Sequence, residues 1–292
     1  MTADVTPAVP GGPYPSAARR FLRNRMALAG ASFLAVTGVL ALAAPLVAGY
    51  DPNAMELAAF REPPSAAHPF GTDFYGRDVF ARLVHAARVS LLVGLVSSLT
   101  AIAIGSLLGA LAGMFGGALD AVVMRVADVV LSFPTLVVIV ALAGVLGPGT
   151  AMLVLVFATC NWPTTCRVVR GLTLSLRERE YVQAARTFGA GRLTVIGRHV
   201  LPAVLPQVAV AGTLLVAQLI LLEAVLSFLG LGVRPPQASW GNMLADAQNL
   251  TLIQTAPWLW LPPGLAIALT VLAVNFVGDG LRDAVDPRGA RA

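Results

Sequence analysis

The 292-residue sequence holds no lysine, three histidines and two cysteines, and each shortage removes a class of function. Without lysine there is no Gly-x4-Gly-Lys-Ser/Thr loop to cradle nucleotide phosphates, so any ATP-driven step belongs to another polypeptide. His68, His85 and His199 are too dispersed for a His-Glu-x-x-His zinc helix, and no Cys-x-x-Cys marks a structural metal site. Cys160 and Cys166 stand six positions apart, a turn of roughly 240° along a helix, so they face different directions. Charge is scarce too. Charged residues make up 12 % and apolar residues 57 %, where a soluble domain carries roughly 25 % and 45–50 %. Something other than water must solvate that apolar surface.

What is present is a series of long apolar runs. Residues 1–18 are rich in Pro, Gly and Ala and read as a disordered tail. Apolar stretches with at most one charged residue follow at 26–50, 89–114, 126–147, 149–166, 204–226 and 258–278. About 20 apolar residues cross a bilayer as a helix, because lipid forces every backbone group to bond internally. Six membrane helices are therefore expected, with Gly147–Pro148–Gly149 as a tight turn between the third and fourth. The first run is longer than the ~7–15 apolar residues of a cleaved signal peptide, despite the Arg19-Arg20 pair ahead of it.

Arginine placement orients the spans. Arg19, Arg20, Arg23 and Arg25 precede the first, seven arginines lie in 167–203, and Arg282, Arg288 and Arg291 follow the last. Arg61, Arg77, Arg82, Arg88 and Arg234 fall on the other side, and Arg125 sits near an edge. By the positive-inside rule both termini and 167–203 are cytoplasmic. The basic excess is then a topology signal and gives no support to nucleic-acid binding. The layout is a cytoplasmic tail (1–25), a first helix (26–50), an external segment (51–88), a core (89–281) and a cytoplasmic C-terminal tail (282–292).

Several constellations stand out. Ser97, Ala101, Gly105, Gly109, Gly113 and Gly117 form a four-residue ladder, one helix face on which another backbone can come close. Residues 180–189 read as a short amphipathic helix with Tyr181, Ala185 and Phe188 on one face, ended by Gly189. A second short helix, 192–200, leads into Leu201-Pro202. Polar groups at membrane depth (Asn161, Gln218, Glu223 and Asn275) either bond within the bundle or line a solute path, with Glu223 expected near the outer end, in reach of water. Asp128 is expected to pair with Arg125. Pro134 and Pro163 are candidate kinks, and Trp258 and Trp260 candidate interfacial anchors.

The run Ala184-Ala185-x3-Gly189-x9-His199-x-Leu201-Pro202 resembles the EAA loop of binding-protein-dependent ABC importer permeases. Gln183 stands where that pattern usually has Glu, and His199 where it has Ile. The blocks Gly71-Thr72-Asp73-x2-Gly76-Arg77-Asp78, Glu223-Ala224-x2-Ser227-Phe228-Leu229-Gly230, Ser239-Trp240-Gly241 and Asn275-x2-Gly278-Asp279-Gly280 are similar, in order, to the dipeptide/oligopeptide/nickel branch, specifically its C-type permease. Ala203 departs from the Asn common there.

The resemblance implies an all-α integral membrane fold with one peripheral helix and a five-helix type I importer core. It implies a non-catalytic subunit in the bacterial inner membrane, forming half of a path for peptides or a related small solute. Its partners would be a second permease, two ABC ATPases holding ATP and Mg, and an extracytoplasmic solute-binding protein. Glu180, Tyr181, Gln183, Ala184, Ala185, Arg186, Gly189, His199, Leu201 and Pro202 would couple to the ATPases, with no metal or cofactor in the chain itself. An ion-coupled transporter, which would place charges in mid-span and show inverted repeats, and a membrane metalloprotease, which would need clustered histidines, fit less well.

Overall fold

Asn24 is where the chain commits to its first long helix. In the computed structural model, which describes residues 17–245, 248 and 250–285, a short helix α1 (Ala17–Phe21) precedes α2 (Arg25–Leu42). Asn24 Oδ1 accepts from the N–H groups of Met26 and Ala27, both at 3.1 Å, and so caps α2. Of the tail expected at 1–18, residues 17 and 18 instead begin α1, and 1–16, with Arg288 and Arg291, lie outside the described residues.

The first span ends at Leu42 rather than Tyr50, and α3 (Ala44–Val47) follows as a separate turn. Pro45 has no N–H to offer the Ala41 carbonyl. Arg88 takes its place: its Nε donates to Ala41 O and its Nη2 to Leu42 O at 2.5 Å. A cation thus closes the negative end of a helix.

Residues 51–78 form a clasp rather than a simple connector. The Asp73 carboxylate accepts from the N–H groups of Tyr75 (2.8 Å) and Arg77 (3.0 Å) and pairs with Arg77 Nε at 2.6 Å. Asp78 faces His68 Nδ1 at 2.9 Å and caps the next helix by accepting from Ala81 N at 2.6 Å. Gly76 has φ +70°, and a Cβ there would stand 1.8 Å from the Glu56 carbonyl oxygen. The Gly-Thr-Asp-x2-Gly-Arg-Asp block is therefore a folding motif that starts α4 (Val79–Phe115) ten residues before the predicted span.

With 37 residues, α4 is about 55 Å long and overshoots a hydrocarbon core of roughly 30 Å. It lies along α7 (Thr150–Leu176), and the small-residue ladder is the seam. A Cβ at Gly105, Gly109 or Gly113 would come within 2.5–2.7 Å of Trp162 O, Cys166 O or Thr173 Cβ respectively. Gly117 stands outside the seam, with open space around it.

The expected third span, 126–147, is not one helix. Helices α5 (Gly117–Leu131) and α6 (Thr135–Leu146) meet at 84°. Pro134 supplies no N–H to the turn before it and disfavours helical backbone at Phe133, so the helix stops at Ser132 and restarts beyond. After α6, Gly147 and Gly149 reverse the chain as expected.

Helix α8 (Glu180–Thr187) stands alone, as predicted. The second short helix does not. Helix α9 (Arg192–Val195) runs through a π turn at Ile196–Val200 into α10 (Leu201–Phe228), giving one 37-residue helix. Pro202 has no N–H for the Arg198 carbonyl; the backbone widens, and Leu201 N reaches Ile196 O five residues back.

Two short helices, α11 (Trp240–Ala245) and α12 (Leu250–Thr255), lead to α13 (Pro257–Val285). The last helix packs between α10 and α2: Gly278 meets Thr213, and Gly30 meets Ala273 O. Asn24 Nδ2 donates to Asp283 Oδ2 at 3.3 Å, which puts the start of α2 and the end of α13 at one end of the bundle. Among the described residues, five helices are long and apolar enough to cross a membrane, and the bent α5–α6 pair, taken as one span, makes a sixth.

Candidate functional site

At the arginine-rich end, α8 is a short lever seated on the ends of the long helices. Val182 is fully buried and joins a cluster with Ala110, Met114, Val169, Val195, Ile196 and Val200. Its neighbours on the other faces are bare: Tyr181 is 50 % exposed and Phe188 90 % exposed. The face expected to carry Tyr181, Ala185 and Phe188 is therefore the one turned outward, with Ala185 half-buried at its edge. Water is a poor solvent for an exposed phenyl ring. The arrangement suits a surface that another protein covers.

The lever is fixed at both ends. Arg177 Nη1 donates to Gly113 O at 3.2 Å, tying the chain ahead of α8 to the end of α4. Gln183 Nε2 donates to Glu178 O at 3.3 Å. Beyond α8, Ala190 N bonds Ala185 O at 3.0 Å, and Gly189 adopts φ +87°, the glycine-terminated helix end. Nothing lies within 4 Å of a Cβ at Gly189, so the left-handed backbone, not lack of space, calls for glycine there. His199, on the π turn, meets the Tyr181 ring with centroids 6.0 Å apart. Glu180, Ala184 and Arg186 are exposed; Leu201 and Pro202 start α10.

The four polar residues at membrane depth separate into three places. Asn161 and Gln218 line one cavity of about 240 Å³ between α7 and α10, together with Thr135, Thr164 and Thr165. Glu223 is not near water, against expectation: it is fully buried and accepts from Ser90 Oγ at 2.8 Å and Ser227 Oγ at 2.7 Å. Those hydroxyls in turn accept from the N–H groups of Trp240 and Val233, both at 3.2 Å. Glu223 is thus the hub that folds the outer loop onto the bundle, a role invisible when Ser90 lies 133 positions away. Asn275 sits on α13, apart from that cavity, and is half-buried.

The acidic groups of α5 pair across to α7. Asp120 forms a two-pronged bond with Arg170 (2.5 and 2.6 Å). Asp128 pairs with Arg167 at 2.5 Å, not with Arg125 as its proximity on the helix suggested. Sequence reasoning missed both partners, because α7 extends ten residues beyond the predicted fourth span and carries these arginines. Trp258 is also an internal fastener: its Nε1 donates to Thr72 O at 3.3 Å in the clasp.

The structure is thus a bundle of long apolar helices with a short, part-anchored helix at one end. Comparison with known proteins gives the family. Residues 105–291 match the profile described as binding-protein-dependent transport system inner membrane component. Residues 13–64 match the N-terminal transmembrane domain of oligopeptide transport permease C. The chain belongs to this family and is an ABC importer permease. A peptide permease protein of Brucella suis biovar 1 is 47 % identical over 277 residues, covering 95 % of this chain and 92 % of the relative. The D,D-dipeptide transport system permease protein DdpC of Escherichia coli K12 is 46 % identical over 244 residues, 84 % of this chain and 81 % of the relative. The glutathione transport system permease protein GsiD of Pectobacterium atrosepticum is 40 % identical over 271 residues, 92 % and 89 % of the two chains.

Proposed function

We propose that this permease supplies half of the path of an inner-membrane importer and is driven through α8 by separate ATPase subunits. The observation that carries the reading is the division of α8 into one buried anchor, Val182, and an uncovered face with Tyr181 and Phe188. A motor protein pressing on that face moves α8, and Val182 passes the motion to the ends of α4, α7 and α10. ATP and Mg are held by the ATPases, and hydrolysis takes place there. A second permease completes the path, and an extracytoplasmic binding protein delivers the solute. Arginine placement supports an orientation with both termini and 177–200 in the cytoplasm.

The names of the relatives point to solutes that share a peptide bond: peptides, a D,D-dipeptide and glutathione. The path is assigned to the cavity at Asn161 and Gln218. Gln218 is exposed at membrane depth on α10, where lipid would be a costly neighbour and water or solute would not. Glu223, through Ser90 and Ser227, is assigned to holding the outer loop on the bundle.

The test is Gly189→Arg in the reconstituted complex. The open space around Gly189 leaves insertion and folding of the spans intact, while the φ of +87° strains the end of α8 by roughly 1–2 kcal/mol. Uptake is expected to fall at least tenfold, with the protein still in the membrane. Normal uptake with the ATPases bound would overturn the coupling role, as would failure of residues 180–190 to cross-link to an ATPase at any stage of turnover.

A further inference from the structure

The cavity between α7 and α10 has a mainly apolar lining into which five polar but uncharged side chains are set. Asn161, Thr164 and Thr165 come from α7, Gln218 from α10, and Thr135 from the first turn of α6, just past the bend. No charged side chain is among the lining residues described. Asn161 spends one N–H on Phe157 O at 2.8 Å, which leaves its second N–H and its carbonyl oxygen to offer. Gln218, exposed on the facing helix, offers a second amide. A carboxamide matches a peptide bond, since one of its N–H groups can donate to the peptide C=O while its own C=O accepts from the peptide N–H, and this pairing does not distinguish the side chains that follow. At about 240 Å³ the cavity is smaller than the roughly 300–1,000 Å³ of a complete ligand pocket, which fits one wall of a path whose other wall is a second subunit.

We propose that Asn161 and Gln218 form a neutral station that hydrogen-bonds the peptide bonds of the passing solute, selecting for amide backbone and tolerating side chains of any charge. This rests on the permease reading above and on the cavity being part of the path. Its wall spans the Ser132–Pro134 bend, with Leu131 on one side of the bend and Thr135 on the other.

The chain carries its own reporter. Cys160 lines the same cavity and is 7 % exposed, so its reaction with a reagent reports an opening of that cavity, and Cys166 is fully buried in the α4–α7 seam. The experiment uses the complete importer in proteoliposomes with its binding protein. Uptake is measured for dialanine and for its analogue with a methylated peptide nitrogen, each divided by the binding protein's own affinity. A membrane-impermeant thiol reagent is applied to the same preparation in each nucleotide state.

Wild-type complex is expected to prefer dialanine about five- to tenfold, the discrimination of one net hydrogen bond. Asn161→Leu/Gln218→Leu should bring that ratio close to one, and Gln218→Asn, which keeps an amide, should retain most of it. Cys160 should react in at least one nucleotide state. A labelled Cys160 with a preference unchanged in the double variant would overturn the amide station and leave the permease reading standing. A Cys160 that never reacts would remove the cavity from the path. A wild-type complex that takes up neither compound would overturn the peptide-bond assignment itself.

Discussion

Two glycines with nearly the same backbone angle show how differently single residues hold this protein. Gly76 (φ +70°) has the Glu56 carbonyl pressed against it, while Gly189 (φ +87°) has empty space. The first is demanded by packing and conformation together, the second by conformation alone. Glu223 is the residue on which the outer loop hangs, through Ser90 to Trp240 and through Ser227 to Val233. Glu223→Leu strands both hydroxyls, at about 1–3 kcal/mol for each buried group left unsatisfied. The outer segment 228–245 should then become open to added protease while the helices stay inserted. Glu223→Gln keeps an acceptor and should show the milder effect. Digestion at the wild-type rate in the Leu variant would remove Glu223 as the hub. None of this was legible in the sequence: a glutamate close to the end of an apolar run looks like a group reaching for water, and nothing local announces two serines waiting for it.

At the scale of elements, the sequence located helices well and their limits poorly. Apolar length marked all six crossings, but the polar ends of α4 and α7 fell outside the predicted spans because charged residues interrupt the runs, and 192–200 read as a helix separate from α10. Those two ends are helical since Asp78 caps one and Asp120 and Asp128 neutralise arginines on the other, and the π turn carries 192–200 past Pro202. The bend at Ser132–Pro134 was visible as a proline, its 84° angle was not. Pro134→Ala restores the missing donor and should let α5 and α6 approach a continuous helix, measurable as a longer distance between spin labels at 120 and 145. Transport should fall with it; an unchanged distance would mean that packing on α7, not the proline, makes the bend. The clasp of α5 on α7 is testable by exchange. Asp120→Arg alone places two cations together and should impair membrane accumulation, and Asp120→Arg/Arg170→Asp should recover much of the loss. Because the pair is partly solvated, the expected coupling is on the order of 1 kcal/mol. Equal loss in the single and double variants would mean the pair is incidental.

Across the whole molecule, the order of the chain and the order of packing disagree. The motif at 71–78 lies some 145 positions or more before those at 223–232 and 239–241, yet the structure gathers them at one end, where Trp258 and Trp240 pin the clasp and the outer loop to the bundle. Sequence blocks of that kind could be matched to a family but not placed in space, because their partners are set by tertiary contact. The same disagreement holds for the first helix. Its main neighbour is α13, which begins 215 positions after α2 ends, and Asn24 finds its partner only at Asp283. A ribosome moving at roughly 5–20 residues per second leaves α2 in the bilayer without its mate for about 10–40 seconds. That helix has to be content in lipid by itself, and its mostly apolar, lipid-ready circumference equips it for the wait. Completion of the last helix, not insertion of the first, is what closes the bundle.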